Sequence, residues 1–407
     1  MNSGKTVYLD NASTTWPKAP GVAEAMAKFV SEGAATPGRG SYTMASRNAE
    51  LVSRARLKLA QLIKAPSPDH VILTPGATDS FNMAILGLFR DHTPHAAPAG
   101  RRPKVITTVL EHNAIRRPIH HLHSRGIIDV EEVRCDGKGR VCADELLAAV
   151  DDRTVLIATM SASNVVGTIG PCAAVFRALR TTRPDIITLL DASQTAGLVP
   201  IDVEADAIDL LAFPGHKSLM GPTGTGILYV SKRAAGETPG AALRLLPTRF
   251  GGTGGDSGKD DMPEAMPRRF EPGSPNSVGF VGLLAALEYR EKHNAAATLA
   301  HELSLVSRLI EGVSSLPGVG IVGPPTSDGR VGVLSLTVDN WAPTDLGALL
   351  DAQAGIAIRA GLHCAPGAHR ALGTFDRGGA IRVSPGAFNT EEDVDAFVGT
   401  LRDVVSA

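Results

Sequence analysis

Two short apolar runs, 186–190 and 208–213, each end in a cluster of polar side chains, and this repeated pattern constrains the fold more than any other feature of the chain. Each run has the length and composition of a buried strand in a parallel sheet. The polar residues that follow the two runs are Asp191, Gln194, His216 and Lys217. Because ligand sites of open α/β sheets lie at such strand ends, we expect these side chains to share one site.

A carboxylate and a lysine at neighbouring strand ends suit the cofactor pyridoxal 5'-phosphate (PLP). The lysine amine forms a Schiff base with this cofactor, and the carboxylate keeps the pyridine nitrogen protonated so that the ring accepts electrons. Asp191 and Lys217 are the candidates for these two roles. The alternative is a helix-capping aspartate and a surface lysine, since both residue types are common after strands.

Three more apolar runs end in the same way: 70–73 before Thr78, 104–108 before His112, and 154–158 before Asn164. A glycine turn that opens a helix, as the sequence predicts near Thr78, holds phosphate through backbone N–H groups and the helix dipole. A plain helix cap at Thr78 fits the sequence equally well. His112 suits stacking on a cofactor ring and proton transfer, and a structural histidine is its alternative.

The C-terminal part of the chain holds one conspicuous loop, in which Cys364 stands between Arg359 and Arg382. The loop is rich in Pro, Gly and His, so its thiol is expected to be exposed. The alternative is a buried small hydrophobe, which is also the expectation for Cys172. Arginine forms forked hydrogen bonds with carboxylates, and we expect Arg359 and His363 to favour the thiolate of Cys364.

Several long stretches are expected to be loops or connections. Residues 33–41, 91–103 and 233–276 are rich in Gly and Pro, and a loop as long as the last one is usually functional. A helix over 277–293 is predicted to lead into a second unit, whose last helix starts with a capping box at Thr390.

The charge of the chain disfavours two classes of partner. The formal net charge is -2, with no block of like charges, so we predict neither nucleic acid nor a membrane surface as partner. No apolar run approaches the roughly 20 residues that span a bilayer, and the start lacks a signal-type apolar core, so we expect a cytoplasmic protein. The four cysteines show no CxxC spacing, and we predict no metal site.

Nine motifs in order carry a resemblance over nearly the whole chain: YLDNAST, TPGATDSFN, LEHNA, SASNVVGTIGP, LLDASQTAG, FPGHK, RFEPGSPN, RAGLHCAP and IRVSPGAFNT. On these motifs the chain resembles the class V aminotransferase family of fold-type I PLP enzymes, and within it the cysteine desulfurases. The resemblance implies an α/β fold whose large domain, residues 16–275, holds a mostly parallel seven-stranded sheet. It implies a smaller α+β domain made from residues 1–15 and 276–407.

The resemblance also implies a role for each site residue. Lys217 would carry the cofactor, Asp191 would bond the pyridine nitrogen and Gln194 the ring hydroxyl. The other implied cofactor contacts are His112 on the ring face, Asn164 beside the ring, and Ala77, Thr78 and His216 at the phosphate. Thr253 would reach the phosphate of the neighbouring subunit of a homodimer. The implied substrate contacts are Asn11, Ala12, Asn164, Arg359 and Arg382. Two positions depart from the family pattern: Pro214 replaces a phosphate-binding serine, and Leu362 replaces a histidine.

We therefore expect a PLP-dependent cysteine desulfurase, a sulfurtransferase whose catalytic residues are Lys217, His112 and Cys364. It would convert L-cysteine, or a related amino acid, to alanine and leave a persulfide on Cys364 for a sulfur-acceptor protein. The alternatives on the same scaffold are a carbon–sulfur or selenocysteine lyase, an aminotransferase and an epimerase. A non-catalytic scaffold is disfavoured, because it would have no need of all four of Lys217, Asp191, His112 and Arg382 together.

Overall fold

A computed structural model describes residues 6–37, 40–90 and 100–406 of the chain. Parts of two predicted loops, residues 38–39 and 91–99, lie outside the described residues. The strands are β1 (Val7–Tyr8), β2 (Val71–Thr74), β3 (Lys104–Thr108), β4 (Asp129–Val133), β5 (Thr154–Met160), β6 (Ile187–Asp191), β7 (Leu210–Pro214), β8 (Gly226–Val230), β9 (Val319–Val322), β10 (Leu334–Val338), β11 (Ile356–Ala357), β12 (Arg359–Gly361) and β13 (Ala380–Val383). The helices are α1 (Val22–Gly33), α2 (Thr43–Leu62), α3 (Ala77–Leu88), α4 (Asn113–Ser124), α5 (Ala143–Ala148), α6 (Cys172–Thr182), α7 (Lys232–Ala235), α8 (Ser277–Glu291), α9 (Ala295–Val313), α10 (Pro343–Ala354), α11 (Pro366–Ala371) and α12 (Glu391–Ser406).

The largest sheet has seven strands in the order β2-β8-β7-β6-β5-β3-β4. Adjacent strands in the part β7-β6-β5-β3-β4 pair in parallel, and β8 runs antiparallel to both β7 and β2. Every residue of β5, β6 and β7 is buried, because helices cover both faces of the sheet. The predicted mostly parallel seven-stranded sheet is therefore confirmed.

Two apolar cores lie on the two faces of this sheet. One contains side chains from α2, α6 and α8, such as Leu59, Phe176 and Leu283. The other contains side chains from α3 and α4, such as Phe81 and Ile119. Helices α3 and α4 each begin where a sheet strand has just ended, so their N-termini lie at the carboxyl edge of the sheet.

A second unit is built on the four-stranded antiparallel sheet β12-β13-β10-β9. Its core holds residues of α9, α10 and α12 together with Val7 and Leu9 from the start of the chain. The predicted capping box is present: the Thr390 N–H donates to Asp393 Oδ2 at 3.2 Å, and the Asp393 N–H donates to Thr390 Oγ1 at 3.4 Å. The domain boundaries at 15/16 and 275/276 stay a prediction, although α8 contributes its apolar side chains to the core of the large sheet.

One expected core position is wrong. The helical spacing of Val22, Met26, Phe29 and Val30 predicts one apolar face for α1. The Val30 side chain is nevertheless 61% exposed, while Val22 and Phe29 are buried. None of the helices in residues 6–37, 40–90 and 100–406 combines the length and the apolar character that a membrane span requires.

Candidate active site

A cavity of about 350 Å³ lies at the carboxyl edge of the large sheet, where the predicted polar residues meet. The predicted site residues that line it are Ala12, Ala77, Thr78, His112, Asn164, Asp191, Gln194, His216, Lys217, Arg359 and Arg382. Five strands of the large sheet, β2, β3, β5, β6 and β7, supply most of these residues at or just after their carboxyl ends, because parallel strands end at one edge. Ala12 follows β1, and Arg359 and Arg382 lie in β12 and β13 of the four-stranded sheet. The structure therefore brings together most of the residues that the sequence predicts.

Asp191 and Lys217 both line this cavity, and the charge of each affects the pKa of the other. Asp191 is the last residue of β6, is buried, and accepts a hydrogen bond from the Ser193 N–H at 2.8 Å. Burial raises the pKa of Asp191, and the positive charge of Lys217 opposes that rise. Burial lowers the pKa of Lys217 to about 8, against the pull of Asp191 and with the help of the charges of Arg382 and Arg359. A substantial share of the Lys217 amine is therefore neutral near physiological pH, the form that acts as nucleophile or base.

The N-terminus of α3 forms one wall of the cavity. The N-cap position is Gly76, which has no side chain to cap the helix, and Ala77 and Thr78 lie in the first turn. The alternative of a helix cap at Thr78 is therefore wrong. The first N–H groups of α3 have no partner within the helix, and they lie at the end of α3 that lines the cavity. An anion such as phosphate is stabilised at this position by those N–H groups and by the helix dipole.

His112 is the N-cap of α4 and also lines the cavity, and its role on a cofactor ring stays a prediction. Its Nδ1 accepts a hydrogen bond from the Ala114 N–H at 3.0 Å, so the side chain caps α4 while the ring lines the cavity. Burial and the nearby charges of Lys217 and Arg359 lower the pKa of His112 to about 4. The ring is neutral at physiological pH, with its proton on Nε2, because Nδ1 is an acceptor.

His216 and Asn164 present polar atoms that lack partners among the described residues. Burial and the charges of Lys217 and Lys18 lower the pKa of His216 to about 4, and its buried Nδ1 has no hydrogen-bond partner there. Asn164 Nδ2 donates to the carbonyl of His363 at 2.8 Å, but its buried Oδ1 is unpartnered in the same set. Unsatisfied buried polar atoms are costly, so these two point to a polar ligand in the cavity.

Arg382 lies at one end of the cavity and is almost fully buried. Its Nη2 donates to Asp10 Oδ1 at 2.8 Å and to Ser13 Oγ at 2.7 Å, and its Nη1 donates to the Asn164 carbonyl at 3.0 Å. Burial lowers the pKa of Arg382, and Asp10 opposes this. These three hydrogen bonds fix the direction of the buried guanidinium, and its role in binding a substrate carboxylate stays a prediction.

Cys364 lies beside the cavity rather than in its lining. The side chain is partly buried, and Arg359 Nη2 donates to its Sγ at 3.0 Å. His363 and Cys364 both have positive φ, 49° and 57°, a strained backbone for residues other than glycine. The expected charge on His363 is wrong: this ring is buried, its pKa lies well below the usual value because of desolvation, and it is therefore neutral. Arg359 alone of the two supplies positive charge to the thiol.

Two further predicted residues, besides Cys364, do not line the cavity within this chain. The Asn11 side chain donates to the Ser384 carbonyl and to Asn389 Oδ1, each at 3.0 Å, so it stabilises the turn after β1. Thr253 lies in the long loop and lines a second cavity of about 400 Å³, which also contacts Thr74 and Pro75. The roles of Asn11 and Thr253 in binding substrate and cofactor stay predictions.

Sequence reasoning gave no role to three residues that the structure connects to the site: Asp10, Ser13 and Glu111. Glu111 is fully buried, accepts from Thr108 Oγ1 at 2.7 Å and from the Met160 N–H at 3.2 Å, and precedes His112. Burial raises the pKa of Glu111 to about 8, so it is mostly protonated at neutral pH. Within the described residues, no group of three or more His, Cys, Asp or Glu side chains is arranged to hold a metal ion.

Comparison with known proteins decides the family. The family model described as aminotransferase class-V matches residues 7–397. The chain belongs to this family. The chain is 34% identical over 400 residues to a probable cysteine desulfurase of Methanothermobacter thermautotrophicus, covering 98% of this chain and 94% of that protein. The predicted resemblance is confirmed.

Solved structures agree with this result. The fold of this chain is similar to the apo structure of a cysteine desulfurase from Thermococcus onnurineus, with a TM-score of 0.88, 28% identity, and coverage of 98% of this chain and 95% of that one. It is also similar to a cysteine desulfurase from Escherichia coli in its S-sulfonic acid form, with a TM-score of 0.83, 28% identity, and coverage of 98% and 94%. The expected fold class is therefore confirmed.

Proposed function

We propose that this protein is a PLP-dependent cysteine desulfurase, which converts L-cysteine to L-alanine and holds the sulfur as a persulfide on Cys364. The observation that carries the proposal is the contact of Arg359 Nη2 with Cys364 Sγ, at 3.0 Å, because Arg359 also lines the cavity that holds Lys217. The guanidinium donor at this distance orients the sulfur and places a fixed positive charge against it. A lyase, aminotransferase or epimerase on the same scaffold would need no such thiol.

The residues of the cavity fit PLP. Its volume, about 350 Å³, matches a small cofactor with an amino acid, and the unpartnered His216 Nδ1 and Asn164 Oδ1 call for polar ligand atoms. The α3 N-terminus, with Thr78, would hold the phosphate. The remaining contacts would be Asp191 at the ring nitrogen, Gln194 at the ring hydroxyl, His112 on the ring face and Lys217 at the aldehyde carbon. When bound, PLP supplies an electron sink for the carbon that carries the amino group of the substrate.

The substrate would be oriented by the guanidinium groups at the far end of the cavity. Arg382 is held by Asp10, Ser13 and the Asn164 carbonyl, so its direction is fixed before a substrate carboxylate arrives. Ala12 lines the same wall, and its carbonyl accepts a hydrogen bond from Gln194 Nε2 at 3.1 Å. Recognition of the carboxylate selects an amino acid and places its side chain toward Cys364.

Lys217 would move the proton of the substrate α-carbon. Its pKa, lowered to about 8 by burial, leaves enough neutral amine to accept a proton near physiological pH. Asp191 is positioned at the end of β6 to stabilise positive charge deep in the cavity. His112 stays neutral because its pKa is about 4, so its ring packs without adding charge.

Sulfur transfer would occur at Cys364. The thiolate attacks the sulfur atom of the substrate, a sulfur–sulfur bond forms, and the carbon–sulfur bond of the substrate breaks. The electron pair of that bond goes to the β-carbon, which gains a proton, and the product is alanine. Arg359 stabilises the thiolate before attack, and a sulfur-acceptor protein or a reductant then removes the outer sulfur.

Two features support a homodimer. Phe250 is 61% exposed, and the neighbouring Thr253 lines an open cavity beside the turn that leads into α3. A second subunit would bury this surface and bring the long loop to a phosphate site. Sedimentation of the cofactor-loaded protein should give twice the monomer mass. A monomer with full cofactor content would contradict this part of the proposal.

Pro214 and Leu362 stay as departures from the family pattern. Pro214 ends β7 and lines the cavity, so the hydroxyl group of a serine is absent from that part of the wall. The α3 N-terminus and His216 would then carry more of the phosphate binding. Leu362 precedes the neutral His363 and leaves Arg359 as the charged group beside the thiol.

The function is tested by incubating the purified protein with L-cysteine and a thiol reductant, and measuring alanine, sulfide and pyruvate. A desulfurase gives alanine and sulfide in equal amounts. Pyruvate with sulfide would indicate a carbon–sulfur lyase, and transfer of the amino group in a parallel incubation with an added oxo acid would indicate an aminotransferase. Either result would overturn the proposal.

A further inference from the structure

Ser13 lies in the turn that follows β1 and lines the active-site cavity. Its side chain makes three hydrogen bonds to residues of the site. The hydroxyl donates to Asp10 Oδ1 at 2.8 Å, accepts from Arg382 Nη2 at 2.7 Å and accepts from Arg359 Nη1 at 3.0 Å. A serine hydroxyl has one donor and two acceptor positions, so Ser13 is fully satisfied and its orientation is fixed.

The hydrogen bond between Ser13 and Arg359 also fixes the guanidinium nitrogen that contacts Cys364. Arg359 Nη2 donates to Cys364 Sγ at 3.0 Å, while Nη1 is held by Ser13. The guanidinium is planar and rigid, so fixing one nitrogen fixes the direction of the other. Without the Ser13 hydroxyl, the partly buried Arg359 side chain is free to rotate away from the sulfur.

Ser13 also connects the two arginines that are proposed to act at the two ends of the substrate. Arg382, the proposed carboxylate clamp, and Arg359, the partner of the thiol, share this one hydroxyl as acceptor. Asp10 accepts from both Ser13 and Arg382, and this anion keeps the two positive groups close together despite their repulsion. Arg382 and the Arg359–Cys364 pair are therefore both held by the turn that contains Ser13, which lies 346 positions away from Arg359 in the chain.

We propose that Ser13 is a positioning residue, which holds the guanidinium of Arg359 against the sulfur of Cys364 and so sets the reactivity of this thiol. The inference rests on the proposed function for the role of Cys364. Its test does not use the reaction with cysteine, so the two can fail separately.

The experiment measures the rate at which iodoacetamide alkylates Cys364 in the cofactor-loaded protein at pH 7, without substrate. Mass spectrometry of peptides separates Cys364 from the other cysteines, which are Cys135, Cys142 and Cys172. Ser13→Ala should slow alkylation of Cys364 by about five-fold, the factor expected for one lost hydrogen bond. Ser13→Thr keeps the hydroxyl and should restore the rate.

Two controls distinguish a positioning role of Ser13 from a general disturbance of the folded structure. Thr14→Val removes the neighbouring hydroxyl, which donates to the His216 carbonyl, and should leave the rate at Cys364 unchanged. Cys172 is buried, so its alkylation stays negligible in any variant that remains folded.

A double variant tests whether Ser13 acts through Arg359. Arg359→Ala should slow alkylation of Cys364. Adding Ser13→Ala should change the alkylation rate no further, because Ser13 acts on the thiol only through the Arg359 guanidinium. Wild-type or faster alkylation in Ser13→Ala would overturn the inference. So would a further slowing in the Arg359→Ala background.

Discussion

Arg359 Nη2 lies 3.0 Å from Cys364 Sγ, and the two residues belong to one short segment that leaves β12 and turns before α11. The turn needs positive φ at both His363 and Cys364. This backbone strain costs of the order of 1–3 kcal/mol at each residue and is tolerated where the surrounding structure demands it. The geometry brings the sulfur back to the guanidinium, and the thiol thereby faces a fixed positive charge.

Lys217 should be the covalent anchor of the cofactor. Borohydride reduction of the loaded protein, followed by peptide mapping, should place the label on Lys217, and Lys217→Ala should take up no label and have no activity. Lys18→Met is the matched control, because burial lowers the pKa of Lys18 also to about 8 and its Nζ donates to the His216 carbonyl at 3.1 Å. A label on Lys18 would contradict the assignment.

Gly226 should be required for cofactor affinity although it does not line the cavity. A Cβ at this position would overlap the backbone of Gly76, which opens α3 and the proposed phosphate site. Overpacking of this kind costs about 1–3 kcal/mol, so Gly226→Ala should weaken PLP binding by roughly ten-fold or more. The control is Gly137→Ala, whose Cβ would meet nothing within 4 Å. Equal cofactor dissociation constants for both variants would show that the α3 turn does not hold the phosphate.

The stability of the cofactor-free protein should depend on pH through Glu111. Its pKa is about 8 in the folded protein against 4.5 for an ordinary glutamate, so between these values the folded state binds the extra proton. The contribution of this carboxyl to stability is fully present below pH 4.5, is lost as pH rises to about 8 and is constant above that.

Glu111→Gln removes this titration. The free energy of unfolding of this variant, relative to wild type, should rise by roughly 3 kcal/mol between pH 5 and pH 8. Denaturant titrations at several pH values measure it, and Glu132→Gln, at an exposed glutamate of β4, is the control. A difference between Glu111→Gln and wild type that does not change with pH would mean that Glu111 is ionised in the folded protein.

Sequence reasoning was strongest at the ends of the parallel strands. Asp191 and Lys217 follow runs that are apolar because both faces of the sheet are covered, and such runs are visible without any knowledge of the fold. Since parallel strands end at one edge, the predicted residues after each run had to meet there. The cavity residues on the large sheet could therefore be predicted from the order of motifs alone.

The features that sequence reasoning missed depend on contacts between distant segments or on sheet edges. Strand β4 has the sequence DVEEV and buries only Val133, because an edge strand has only one neighbour and needs no apolar run. The hydrogen bonds of Ser13 join residues far apart in the chain, and no local pattern encodes them. Val30 has the spacing of a core residue, but α1 buries a narrower face than its apolar pattern suggests.

The central claim is that Cys364 accepts the sulfur. The most direct measurement is the mass of the peptide containing residue 364 after a short incubation of the loaded protein with L-cysteine, for wild type and Cys364→Ser, alongside the yield of alanine. Serine forms no persulfide and is not ionised near neutral pH, so its substitution removes the acceptor while Lys217, Asp191 and Arg382 remain. We predict one added sulfur on Cys364 in the wild type, released by a reductant, and almost no alanine from Cys364→Ser. Equal turnover of cysteine by both proteins, with pyruvate as the product, would contradict the account.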